Sequence, residues 1–116
     1  MALIVEDGTG KADANSYASL DDANAYHTLR GHTAWTGADE VKEAALVRAT
    51  SYIDGQYGVR WPGYRASSAQ ALDWPRDEAY DRDGYLQEEV PTAVVVATIE
   101  AALIELSTAG ALTEAQ

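Results

Sequence analysis

The chain contains no cysteine, which excludes disulfide frameworks, thiolate zinc sites, iron–sulfur clusters and thiol nucleophiles together. A reducing compartment is compatible with this. Basic residues are also scarce: 8 Lys and Arg stand against 19 Asp and Glu, for a net charge of −11 and a pI near 4.3. Such a surface favours solubility and disfavours phosphate backbones and anionic lipid. The surplus is spread along the chain, so no acidic tail accounts for it. Long apolar runs are missing as well. No segment reaches the roughly 20 apolar residues that cross a bilayer, and Met1 to Asp7 has neither the basic start nor the sustained apolar stretch of a signal peptide. A soluble protein, made and used in a cytoplasm, is expected.

What remains is sufficient for one core. The 116 residues are 47% hydrophobic, the size and content of a single domain. Such a domain buries roughly two thirds of the surface its unfolded chain exposes, so partners can add to its stability.

Residues 1–18 read as an extended arm: the apolar run Ala2 to Val5 precedes Asp7-Gly8-Thr9-Gly10, a breaker of regular structure. Ser19 and Asp22 have capping-box spacing and Gly31 follows Arg30, predicting a helix over 20–30 with a thin apolar face of Ala23, Tyr26 and Leu29. Thr36 and Asp39 signal a second start. Ala45, Leu46, Ala49, Tyr52, Ile53 and Tyr57 then recur at helical spacing opposite Glu43, Val47, Thr50, Ser51 and Asp54, and Gly55 and Gly58 mark the end. Residues 59–76, with Pro62, Gly63 and Pro75, form an ordered aromatic loop. Asp83-Gly84 between 78–80 and Tyr85-Leu86 signals a tight hairpin turn. Pro91 opens a helix over 92–106, apolar on every side except at Thr98, Glu100 and Glu105. It is too short and too charged for a membrane span, so its cover must come from this chain or from copies of it. Gly110 ends it, with a frayed tail over 111–116. The fold class is mainly α: a small helical bundle over 19–110, with an extended N-terminal arm and a short β-hairpin or ordered loop before the last helix.

Chemical motifs are sparse. Gly8-Thr9-Gly10-Lys11 suggests a phosphate loop, but Val5 stands where Walker spacing needs glycine and Ala12 where it needs a hydroxyl; Asp13 likewise breaks a dinucleotide fingerprint. An ordinary turn is preferred. His27 and His32 are five apart, not the four of a helical zinc pair, and read as one surface and one loop histidine. Asp81, Asp83 and Gly84 fit three calcium-loop positions, yet Ala79 and Val90 occupy positions that must ligate. No Gly-x-Ser-x-Gly elbow nominates a serine. The expectation is no catalytic residue, no cofactor, no metal and no enzyme.

One cluster could touch nucleic acid: Arg60, Trp61, Tyr64 and Arg65, two arginines flanking two aromatics able to stack on bases. Surplus negative charge opposes it. Trp61, Tyr64, Trp74, Pro75 and Arg76 are the candidate interface or loop anchors, because Trp and Arg are enriched where buried contacts carry binding energy. The tryptophans serve equally well as filling for the chain's own core.

The order of elements from Asp7-Gly8-Thr9-Gly10 and Ala14-Asn15-Ser16-Tyr17 through Ala25-Tyr26-His27, Lys42-Glu43-Ala44-Ala45-Leu46, Ala49-Thr50-Ser51-Tyr52-Ile53-Asp54 and Val90-Pro91 resembles head-tail connector (adaptor) proteins of tailed bacteriophages. Gln70-Ala71-Leu72-Asp73-Trp74-Pro75-Arg76 is the most specific piece. The resemblance implies a helical structural subunit of the virion neck, assembled in the host cytoplasm. It would form a homo-oligomeric, dodecameric ring under the phage portal protein, extend the DNA channel and dock the next connector or tail protein. DNA would pass through without being held, past an acidic wall that repels phosphates; no membrane is involved. Similar sequences also carry a label likening them to a primosomal single-stranded-DNA-binding protein. That supports an alternative, a single-stranded-DNA-binding module using the Arg60–Arg65 loop.

Overall fold

A computed structural model describes residues 3–87, 89–108 and 110–114. Ala2 of the apolar run, Glu88, and the last two residues of the tail lie outside the described residues. The order is α1 (Leu20–Leu29), α2 (Asp39–Tyr57), a 3-10 turn (Gly58–Arg60), β1 (Tyr64–Arg65), β2 (Arg76–Asp77), α3 (Thr92–Ser107) and α4 (Ala111–Glu114). The fold is mainly helical, with a two-stranded hairpin before the long helix α3, as expected from the sequence.

Helix α1 starts where the capping box puts it, with the Ser19 side chain accepting from the Asp22 amide at 3.0 Å. Its inner face differs from expectation. Leu29 is 83% exposed, and His27 is buried beside Ala23. Helix α2 begins without a side-chain cap, since Ala38 rather than Thr36 precedes it. Asp39 and Glu40 in its first turn complement the helix dipole instead.

The body is α2 against α3. Ala45, Ala49 and Ala102 are fully buried at the contact, and side chains this small let the two backbones approach. Leu46, Ile99 and Trp35 fill the same cluster. A second cluster joins Tyr17, Ile53, Trp74, Ala79 and Val94 beneath the aromatic loop. Thr50 and Thr98, assigned to polar faces from spacing, are fully buried; each hydroxyl donates to the carbonyl four residues back, Leu46 O at 3.0 Å and Val94 O at 2.9 Å. A threonine that bonds its own helix can occupy an apolar interface without an unpaired group. Glu105 is buried too. It accepts from Arg48 Nε at 2.7 Å and from the amides of Gly110 and Leu112, so it satisfies donors at the start of α4 and ties down that helix, whose Leu112 joins the core. Burial alone would raise its pKa, but the Gly110 amide, Arg48 and the Leu112 amide outweigh that and hold it below the ordinary carboxylate value. A packed helical turn therefore stands at residues 111–114 where fraying was expected.

The N-terminal arm folds back on itself. Val5 and Ser16 form a parallel bridge, and Ala14, Tyr17 and Ala18 are buried. The Asp83-Gly84 turn is present as a single antiparallel bridge between Tyr80 and Leu86, with the paired strands β1 and β2 lying instead within the aromatic loop, Tyr64 opposite Asp77 and Arg65 opposite Arg76.

Candidate functional site

The glycine loop after Val5 is shaped to hold an anion, and it holds one of its own. Glu6, 3% exposed, accepts from the amides of Gly8 (2.8 Å) and Gly10 (2.9 Å) on Oε2 and of Lys11 (2.8 Å) on Oε1. Gly8 and Gly10 have φ of +95° and +76°, which glycine adopts without strain. These three amides are occupied by the carboxylate, so the loop is a closed structural turn. Asp81 does likewise in its own turn, where Oδ1 accepts from the amides of Asp83 and Tyr85, both at 2.9 Å. Among the described residues no three His, Cys, Asp or Glu converge on a common point, and no helix is long and apolar enough to cross a membrane.

Arg76 is the clamp of the aromatic loop. Its guanidinium, buried and without a carboxylate partner among the described residues, donates to three carbonyls: Pro62 O at 2.8 Å, Gly63 O at 3.0 Å and Asp73 O at 3.2 Å. The rigid fork of arginine suits this triple contact. Buried Gln70 adds a second set, donating to Leu72 O and Pro75 O while accepting from the Ser67 amide. Trp74 and Pro75 are buried beneath, and the Trp74 amide donates to the Tyr17 hydroxyl at 3.1 Å. That hydroxyl donates to Asp54 Oδ1 at 2.6 Å. Burial pushes the Asp54 carboxyl up to about 6, against the lowering by Tyr17. The same burial, reinforced by Asp54, pushes the Tyr17 hydroxyl up. Of the candidate anchors, Trp74, Pro75 and Arg76 thus anchor the loop internally, while Trp61 is half-buried and Tyr64 is exposed.

The four residues of the nucleic-acid cluster share one loop but are unequally available. Arg60 is exposed and has no partner among the described residues. Arg65 Nη2 donates to Gln70 O. The Tyr64 hydroxyl pairs with Glu78, which raises its pKa. Trp61 packs edge-on against Trp74 (5.5 Å between centroids, 74°) and beside Tyr57 (5.9 Å).

Trp61 also lines an open apolar feature. A groove of about 490 Å³ runs between α2 and α3, walled by Tyr52, Tyr57, Trp61, Val94, Ile104 and Leu112. Glu100 is its one charged wall residue, and it accepts from the Tyr26 hydroxyl. Ile104 is 54% exposed, and Val59, next to the groove in sequence, is 98% exposed. Tyr52 and Tyr57 read as core from their spacing; the usable signal for this surface was α3, apolar on more sides than α2 can cover.

These observations define a small, mainly helical domain with an internally filled glycine loop and an apolar groove. The whole chain, residues 1–116, matches the family model described as "Putative DnaT-like ssDNA binding protein". The chain belongs to that family. No match was found among curated proteins or among solved structures.

Proposed function

We propose that this protein is a non-catalytic assembly subunit whose copies join through the α2–α3 groove into a ring of the head-tail connector type, docking on a portal above and a tail-side protein below. The observation that carries this reading is the apolar groove on a chain of net charge −11. Exposed contiguous apolar surface on a soluble domain marks an interaction site, and head-to-tail contacts between identical subunits close into a ring when the rotation fits. The acidic surplus suits a channel that lets DNA pass without holding it. Native mass spectrometry, with and without portal protein, tests it. Wild type is expected to form a discrete oligomer that Ile104→Glu, a charge placed at an exposed wall position, reduces to monomers. A strict wild-type monomer in both samples would sink the reading.

The family description favours a second reading more directly than the first: binding of single-stranded DNA. On this chain it would use Arg60, Tyr64 and the accessible part of Trp61, with Arg65 beside them. Gel-shift titration at low and high salt separates the two. Tight binding with a steep salt slope, lost in the Arg60→Ala, Arg65→Ala double variant, would carry the DNA reading, because phosphate contacts release counterions.

A further inference from the structure

His27 and His32 were separated by the sequence into a surface and a loop histidine; the fold brings them into direct contact. Their Nδ1 atoms lie 2.9 Å apart, and His27 Nε2 lies 3.1 Å from Ile99 O in α3. A carbonyl only accepts, so His27 Nε2 carries hydrogen. With neutral rings, His27 Nδ1 is then bare, and the short contact requires His32 Nδ1 to donate into it. His32 must hold its proton on Nδ1, leaving Nε2 as its open acceptor. The pair is fixed from both sides: His27 is 1% exposed and its ring lies 4.7 Å from the buried Trp35 ring. The connection closes around it, with the His32 amide donating to His27 O at 2.9 Å and the Trp35 amide to His32 O at 3.1 Å. A pocket of about 270 Å³ lined by Thr28, Gly31 and Thr33 opens beside the rings.

We propose that His27 and His32 form a proton-counting latch on the connection between α1 and α2: one added proton tightens it and a second opens it. The first proton binds the outward His32 Nε2 and turns the Nδ1 contact into a charge-assisted hydrogen bond, which is stronger than a neutral one. The second must place hydrogen on both Nδ1 atoms, and two N–H groups cannot face each other at 2.9 Å. His27 is held by Ile99 O and Trp35, so His32 is the ring that leaves, taking residues 31–34 with it. The surrounding charges set where this happens. Burial, then His32 and Arg30, disfavour charge on His27, while the Ile99 carbonyl and Glu100 of α3 favour it. On the other elements, Tyr26 of α1 stacks edge-on on His27, and Lys42 of α2 sits 5.8 Å over Trp35.

Nitrogen-15 side-chain NMR of the full chain between pH 8 and 4.5, with amide exchange followed in parallel, tests this. The expected result is the Nδ1–H tautomer for neutral His32 and Nε2–H for His27, with two separated protonation steps. Exchange at the His32 and Trp35 amides should rise about tenfold relative to the α2–α3 core only at the lower step. In His32→Ala the lower step should vanish, His27 titrating once through the open pocket with no change in Trp35 amide exchange. Independent titration of both rings near the ordinary histidine value of about 6.5, an Nε2–H tautomer on neutral His32, or an unchanged acid step in His32→Ala would each overturn the latch.

Discussion

Replacing Glu6 by alanine removes the one acceptor that serves three backbone amides at once. Hydrogen bonds to a charged group contribute about 1.5–3 kcal/mol each, and leaving a buried donor unpaired costs about 1–3 kcal/mol. The amides belong to Gly8, Gly10 and Lys11, all at positions of intermediate exposure, so water recovers part of the loss. A net destabilisation of about 3 kcal/mol is expected, which for a domain of this size lowers Tm by roughly 10–15 °C. Urea denaturation followed by tryptophan fluorescence measures it. The variant leaves a carboxylate-shaped vacancy ringed by donors, so acetate or formate should restore stability. At tenfold over its dissociation constant a small carboxylate returns about 1.4 kcal/mol. Chloride at equal ionic strength should not. Glu6→Gln, keeping one oxygen, should lie between the two. A loss in Glu6→Ala below about 0.5 kcal/mol, or equal stabilisation of variant and wild type by acetate, would refute the account of the loop as an anion cradle filled from within.

Asp54 makes stability depend on pH in an unusual direction. Its folded pKa of about 6 lies above the ordinary aspartate value of about 3.9, so the folded state binds more protons between these values and stability falls as pH rises through that window. Asp54→Asn should remove this slope, and comparing its denaturation with wild type at pH 4, 5, 6 and 7 isolates the term from the opposite contribution of His27, whose depressed pKa makes stability fall with acid; parallel curves would contradict the assignment. Arg76→Lys keeps the charge but cannot reach Pro62, Gly63 and Asp73 carbonyls with one fork. We expect a loss of about 2–4 kcal/mol in urea denaturation, with Trp61 fluorescence shifting to the red; a lysine variant as stable as wild type would refute the clamp.

The legible parts of the fold were those written in local pattern. The Ser19 cap, the α2 repeat from Ala45 to Ile53 and the Pro91 start of α3 each rest on contacts within a few residues, and each appears in the structure. Less was legible wherever a polar side chain was paired far away in sequence. Thr50 and Glu105 were assigned to solvent by their chemistry, yet Thr50 bonds Leu46 O and also accepts the Tyr17 amide, and Glu105 meets Arg48 from α2. Tyr57 and Leu29 failed in the other direction: helical spacing marked them as inner face, but Leu29 is 83% exposed and Tyr57 lies on the open groove wall beside Trp61. The site was legible in outline, because the girth of α3 demanded outside cover, while the groove walls contributed by α2 and Leu112 were not.

The sequence alone determined the helical class, the acidic cysteine-free surface and the apolar surplus of α3, since these follow from composition and from periodicity along one chain. Tertiary structure decided which of those features are available. It filled the glycine loop with Glu6, spent Arg76 on carbonyls, brought His27 against His32, and left open an apolar groove between α2 and α3. The physical reason is that a polar or apolar group acts according to what lies within about 4 Å of it, and that distance is set by packing between elements remote in sequence.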